Sequence, residues 1–148
     1  GEAFGVSSDD RRSVVEERPL VADPDALARL EAENGVRQFE LALDIVRTYV
    51  RDAERPFRLR PSLFLMLQDA ALRGIDRFAG TFRNSGVTIT KSRHIPPDHI
   101  FIADEVGELC EYVNDHWSDR SALHLAAYVL WKLNWIHPFS DGNGRTSR

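Results

Sequence analysis

Prolines and capping residues cut this chain into segments whose apolar residues recur every three or four positions. That punctuation confines it to a fold built mainly of helices. Asp23-Pro24 reads as a helix start: a carboxylate cap, then proline where a missing N–H costs nothing. Leu27 and Leu30 follow at helical spacing, and Asn34-Gly35 reads as a stop. A second helix is predicted from Val36, with Phe39, Leu43, Val46 and Val50 along one face, ending at Arg55-Pro56. Pro61-Ser62 opens a third, which runs through Leu63, Met66, Leu67, Ala70 and Leu72 to the neighbourhood of Gly74. Pro96-Pro97-Asp98 opens the next, carrying Ile102, Val106, Leu109 and Val113. Ser118-Asp119 is the expected cap of a last helix with Leu123, Ala126, Ala127, Leu130 and Leu133 on its core face.

One stretch departs from the helical pattern. Phe82-Arg83, the turn residues Asn84-Ser85-Gly86 and then Val87-Thr88-Ile89-Thr90 read as a β-hairpin with β-branched residues on its second arm. Residues 1–22 are polar and unpatterned, so a flexible N-terminal arm is expected there, with a short extended piece at Leu20-Val21. Residues 23–148 are long enough to bury a core as one domain. The net charge is −4 and the basic residues are scattered, which argues against a nucleic-acid partner. No apolar run is long enough to span a bilayer, which argues against a membrane partner. Cys110 is the single cysteine, so neither a disulfide framework nor a thiolate zinc site is expected. A reduced, cytoplasmic setting fits this usage, and delivery as a secreted effector is compatible with it. Gly1, standing where a methionine would, points to a trimmed natural N-terminus.

Chemistry concentrates in the last twelve residues, His137 to Arg148. His137 is a base of near-neutral pKa that can take a proton from an attacking hydroxyl. Asp141 is a carboxylate able to hold Mg²⁺ against phosphate oxygens. Gly142-Asn143-Gly144 lets backbone N–H groups close on an anion, and Arg145 and Arg148 can neutralise phosphate charge. Phe139 offers no chemistry and is expected to anchor the loop in the core. Taken singly these are a helix-end histidine, a turn aspartate, a Gly-Asn-Gly turn and two surface arginines. Their order in one string is what makes them specific.

That string resembles the signature of the Fic family, His-Pro-Phe-x-(Asp/Glu)-Gly-Asn-Gly-Arg-x-x-Arg, without mismatch. The resemblance extends loosely over residues 36–148, because Gly80-Thr81-Phe82-Arg83 and Val87-Thr88-Ile89-Thr90 look like the family's flap. It implies a helical bundle with a small β-hairpin flap over the site, and a protein adenylyltransferase using ATP and Mg²⁺. By the resemblance His137 is the general base, Asp141 the metal ligand, and Gly142, Asn143, Gly144, Arg145 and Arg148 the phosphate site. Thr88, Ile89 and Thr90 would dock a target protein by strand addition, placing a Ser, Thr or Tyr hydroxyl at the α-phosphate. Many members carry an inhibitory helix ending in Glu before Gly or Asn. Glu33-Asn34 on a helix at 24–34 supplies that half, although Arg29 stands where Ser or Thr is expected. Ser13 and Glu17 have the right interval, but Arg18 follows. An antitoxin-like partner is the other form such control takes.

In the family a core helix starts within the motif, whereas this sequence stops at Arg148. The expectation is therefore a domain incomplete at its C-terminal end, without that helix, with weak nucleotide binding and an exposed apolar face on the last helix. Two rival readings remain open. One is a non-catalytic nucleotide-responsive regulatory or interaction module. The other is a different transfer on the same scaffold: UMP, phosphocholine, or removal of AMP by water. Base, metal and phosphates are shared among these, so the motif does not choose. His94 and His99 are not expected to share a metal, because Pro96-Pro97 forbids the helix that would align them.

Overall fold

The computed structural model describes Ser13–Val14 and residues 20–148. Five helices and one short two-stranded sheet make up its regular structure among these residues. In chain order they are β1 (Ser13–Val14), α1 (Pro24–Arg51), α2 (Pro61–Leu72), β2 (Thr88–Ile89), α3 (Ile102–Asp115), α4 (Ala122–Ile136) and α5 (Asn143–Ser147). A 3₁₀ turn at His99–Phe101 leads into α3. The expected mainly helical class is what the chain adopts.

Asp23 caps α1 as anticipated, accepting from the Ala26 N–H at 3.2 Å with proline following. The expected break at Asn34-Gly35 does not occur, and α1 runs through it for 28 residues. A helical glycine costs about 1 kcal/mol, which the packing of α1 on α2 outweighs. Asn34 is fully buried and its amide donates to the Arg73 carbonyl at 2.8 Å, so a residue read as a stop is a tie between helices. The predicted separate helix at 24–34 is thus the first part of α1. The core face of α1 also differs from the one expected. Phe39, Val46 and Val50 are exposed, while Leu27 and Leu30 pack on Ala71, Leu72 and Ile75 and Tyr49 stands edge-on to Phe57.

The main core gathers Leu59 and Phe64 at the start of α2, Ile102, Val106, Leu109, Cys110 and Val113 on α3, Leu133 and Ile136 on α4, and Phe139. The α3 face is the one its periodicity predicts. Burial pushes the Cys110 thiol up to about 11, consistent with a small inert core residue. Helix α4 begins three residues later than expected, because Ser121 rather than Ser118 caps it, accepting from the His124 N–H at 3.2 Å. Asp119 instead meets the His116 ring at 3.0 Å. Of the predicted α4 core face only Leu133 is buried, with its neighbours Leu125 and Ile136, whereas Leu123, Leu130 and Trp131 are exposed. Leu123 and Leu130 border an apolar groove of about 840 Å³ that also takes in Phe57, Leu59 and Trp117.

The hairpin is corrected by the pairing. Thr88–Ile89 does not pair with Phe82-Arg83 but runs antiparallel to Ser13–Val14, with Ser13 opposite Ile89 and Val14 opposite Thr88. Phe82 packs on the main core and Arg83 is committed elsewhere, so the first arm has no free edge to offer. Part of the expected N-terminal arm is therefore a strand, and Leu20 also donates its N–H to the Ile75 carbonyl at 3.1 Å. The rest of residues 1–19, including Glu17 and Arg18, lies outside the described residues.

Candidate nucleotide site

Helix α4 ends at Ile136, and His137 takes the left-handed conformation at its C-cap, with φ 52°. Its N–H closes on the Leu133 carbonyl at 2.9 Å, which turns the chain sharply out of the helix. A non-glycine residue in this region costs of order 1 kcal/mol or more and persists only where surroundings impose it. Arg83 imposes it here. Its Nε donates to the His137 carbonyl at 2.7 Å, and its two terminal nitrogens donate to the carbonyls of Ser85 at 2.7 Å and Pro97 at 2.6 Å. The Arg83 backbone N–H adds a bond to the Pro138 carbonyl at 2.9 Å. This buried guanidinium joins the flap segment to the motif loop, and no sequence pattern short of a three-dimensional contact singles it out.

His137 is 6% exposed, with its ring Nδ1 at 3.3 Å from the Asn134 carbonyl. A carbonyl only accepts, so Nδ1 carries the proton and Nε2 the lone pair. Burial pushes His137 below the ordinary imidazole value; the Arg83 charge and His94 act the same way, while the Asn134 carbonyl and Asp141 oppose. The ring is therefore neutral at physiological pH, the state a general base needs.

Below His137 the loop is locked by one side chain. Asn143 is buried, accepting from the Phe139 N–H at 2.9 Å and donating to the Phe139 carbonyl at 2.8 Å. Its side-chain amide is thereby spent on the loop. The sequence also suggests this amide as a phosphate donor, and that expectation is corrected, although Asn143 still lines the cavity. Gln68 of α2 ties in the next residue, donating to the Asp141 carbonyl at 3.2 Å and accepting from the Gly80 N–H at 2.5 Å. Gly142 sits at φ +79°, and a Cβ there would come within 2.7 Å of the buried Leu72 Cδ2. Its N–H is engaged by the Asp141 carboxylate at 2.6 Å.

The expected loss of a helix within the motif is also corrected. Asn143–Ser147 forms the short helix α5, held by Thr146 donating its N–H and its hydroxyl to the Gly142 carbonyl at 2.9 and 2.8 Å. Arg145 lies against two carboxylates, Asp141 at 3.0 Å and Glu31 of α1 at 3.4 Å. Glu33 is exposed on α1, so the α1 carboxylate that reaches the motif is Glu31, two residues earlier. Arg148 is exposed at the end of α5.

A cavity of about 760 Å³ collects His137, Asp141, Gly142, Asn143, Gly144, Arg145 and Arg148, with Ile89, His94 and Trp135 on its flap side and Glu31 opposite. That volume is of the size that holds a nucleotide-sized ligand. Of the predicted flap residues, Ile89 is in this lining; Thr88 is exposed beside it and Thr90 half-buried. His94, set aside as a metal ligand, holds the Trp135 carbonyl through Nε2 at 2.7 Å. No group of three or more His, Cys, Asp or Glu side chains able to hold a metal occurs among the described residues. Asp141 is a single, half-exposed carboxylate, which is the donor set Mg²⁺ uses when phosphates and waters complete its shell.

Residues 58–148 match the sequence profile of the Fic/DOC family. The protein adenylyltransferase Fic of Drosophila persimilis is 40% identical over 70 residues, covering 47% of this chain and 13% of that protein. The corresponding protein of Drosophila virilis is 33% identical over 112 residues, covering 73% of this chain and 22% of its own length. The protein adenylyltransferase fic-1 of Caenorhabditis briggsae is 31% identical over 71 residues. A solved structure of a Fic family protein from Desulfovibrio desulfuricans superposes with a TM-score of 0.49 at 19% identity, covering 80% of this chain and 46% of that one. This chain thus spans a minor part of the length of these adenylyltransferases.

Proposed function

Since this chain belongs to the Fic/DOC family, we propose that it transfers AMP from ATP to a Ser, Thr or Tyr hydroxyl of a protein. The observation that carries the reading is His137: a buried, neutral imidazole, oriented by the Asn134 carbonyl, in one cavity with Asp141, Arg145 and Arg148. The target hydroxyl oxygen attacks the α-phosphorus, its proton passes to His137 Nε2, and the bond to the leaving pyrophosphate breaks. Negative charge grows on the phosphate oxygens, where Arg145, Arg148 and the backbone N–H groups of Asn143 and Gly144 act. Arg145 can serve only by exchanging its present carboxylate partners for phosphate oxygens, an exchange between charge-assisted bonds of like kind. Asp141 would hold Mg²⁺, which when bound supplies charge neutralisation to the phosphates. Thr88, Ile89 and Thr90 present the acceptor segment. The α1 carboxylate on Arg145, Glu31, is the regulatory element, with Glu33 two residues further along the helix.

The test is incorporation from ATP labelled at the α-phosphate, with Mg²⁺, by the full-length protein in a cell lysate. Label on protein that falls at least about 10²-fold in His137→Ala, with ATP binding retained, is the expected result. Equal incorporation by both proteins would sink the reading. Binding of ATP without transfer would favour a nucleotide-responsive module, and transfer from UTP alone would keep the chemistry but change the donor.

A further inference from the structure

Lys132 meets Glu105 and His124 meets Tyr112, so α3 and α4 run antiparallel with their outer faces side by side. On α3, Glu105, Glu108, Tyr112 and Asp115 recur at three- and four-residue steps and share one face. On α4, His124, Tyr128, Trp131 and Trp135 do the same. Their rings form a track, Tyr112 to Tyr128 at 4.0 Å between centroids and Tyr128 to Trp131 at 5.9 Å. Trp131, which is 59% exposed, and Trp135 line the cavity that holds His137, so the track ends at the cavity mouth.

One end of this face already binds a cation of the chain itself. Lys132 bonds the Glu105 carboxylate at 2.7 Å and lies 4.5 Å from the centroid of the Trp135 ring. The same parts recur about one turn away. Glu108 is close enough to Tyr128 to help raise its phenol, after the larger effect of burial. Glu108 is exposed and has no ion pair among the described residues. The other α3 carboxylates Asp104, Glu111 and Asp115 are exposed too, and α3 carries no Lys or Arg to repel a cation.

We propose that Glu108, Tyr128 and Trp131 dock an Arg or Lys side chain of the acceptor protein, beside the hydroxyl that His137 activates. The inference rests on the AMP-transfer reading and names the chemistry of the segment it takes. From Tyr128 to His137 the helical rise gives roughly 13 Å, which an extended segment covers in about four residues. Pairing with a strand edge aligns a segment by its backbone, whereas a cation site at this distance discriminates between sequences.

Short synthetic peptides test this on the full-length protein. Each has one Thr in an Ala-Gly background, with Arg, Ala or Glu placed at that distance on either side, and binding is read by fluorescence anisotropy. The Arg peptide should bind at least about fivefold tighter than the Ala peptide, with a gain that shrinks as salt is added. Glu108→Gln should erase the gain, and Glu108→Arg should turn it into a preference for the Glu peptide. In transfer from ATP, Glu108→Gln should raise KM for the Arg peptide and leave KM for ATP unchanged. Equal or undetectable binding of the three peptides, or an Arg preference that survives in Glu108→Arg, would overturn the inference and leave AMP transfer standing. An unchanged KM for the Arg peptide would overturn the assignment of the docked segment to the acceptor. Binding that depends on Glu108, with no AMP on any peptide or lysate protein, would overturn the AMP-transfer reading and leave the cation site.

Discussion

Between Phe139 and Thr146 the motif loop is closed by buried or half-buried bonds: Asn143 to both backbone groups of Phe139, Gln68 to Asp141, Thr146 to Gly142. The flap strand Thr88–Ile89, facing the same cavity, has a two-residue partner from far away in the chain and an exposed Thr88. One region is over-determined and the other loosely held. The difference matches the tasks proposed for them. A base and a phosphate site must keep their geometry to fractions of an ångström, whereas an edge that accepts other strands must be free to exchange them. Arg83 joins the two, gripping the carbonyls of His137, Ser85 and Pro97 with one guanidinium. It gives the flap a fixed root while its edge carries only a two-residue partner.

The comparison is broken most severely at Asn143. Asn143→Ala leaves the Phe139 N–H and carbonyl buried without partners, an expected loss of about 2–4 kcal/mol in denaturant unfolding together with loss of transfer. A variant that unfolds like the parent would show that the loop is not held by this residue. Gly142→Ala comes next. The left-handed backbone and the 2.7 Å approach to Leu72 predict a cost of about 1–3 kcal/mol. A parent-like melting curve would count against the close packing of the loop on α2.

A smaller effect sharpens the contrast by pH. Because burial holds His137 below the ordinary imidazole range, the acidic fall of the transfer rate should lie below about pH 6.5. The same depressed value makes the stability contribution of His137 full above the unfolded-state value, and lost as pH falls through the folded one. A rate that already falls above pH 7 would contradict the buried, neutral ring. Least costly to the fold is Thr88→Pro, which removes one N–H from an exposed strand. Its unfolding free energy should change by less than about 0.5 kcal/mol. The apparent KM for protein acceptor should rise while ATP affinity holds. A change in ATP affinity instead would show the flap edge to be part of the nucleotide site.

Local chemistry settled much of this protein in advance. Asp23-Pro24, Pro61 and Asp98 start helices where they were read to, since a cap or a fixed φ acts within one turn and needs no distant partner. The string from His137 to Arg148 was likewise legible, because its residues are neighbours in sequence and in space. The tertiary structure decided what depends on partners far along the chain. Asn34-Gly35 looks like a stop until the Arg73 carbonyl is placed beside Asn34. Which of two apolar faces of α1 and α4 is covered depends on where α2 and α3 lie, and a periodicity of hydrophobic residues does not name the neighbour. Ser13–Val14 carries no strand signal of its own and is a strand only because β2 offers an edge. Arg83 reads as part of a hairpin arm until the carbonyls of His137, Ser85 and Pro97 are placed around its guanidinium. The sequence by itself determined most helix starts and the side chains that the proposed chemistry would use, since those follow from short-range sterics and side-chain type. Only the tertiary structure decided which faces are buried, which strand meets the flap and what holds His137, because each is an interaction closed over tens of residues of intervening chain.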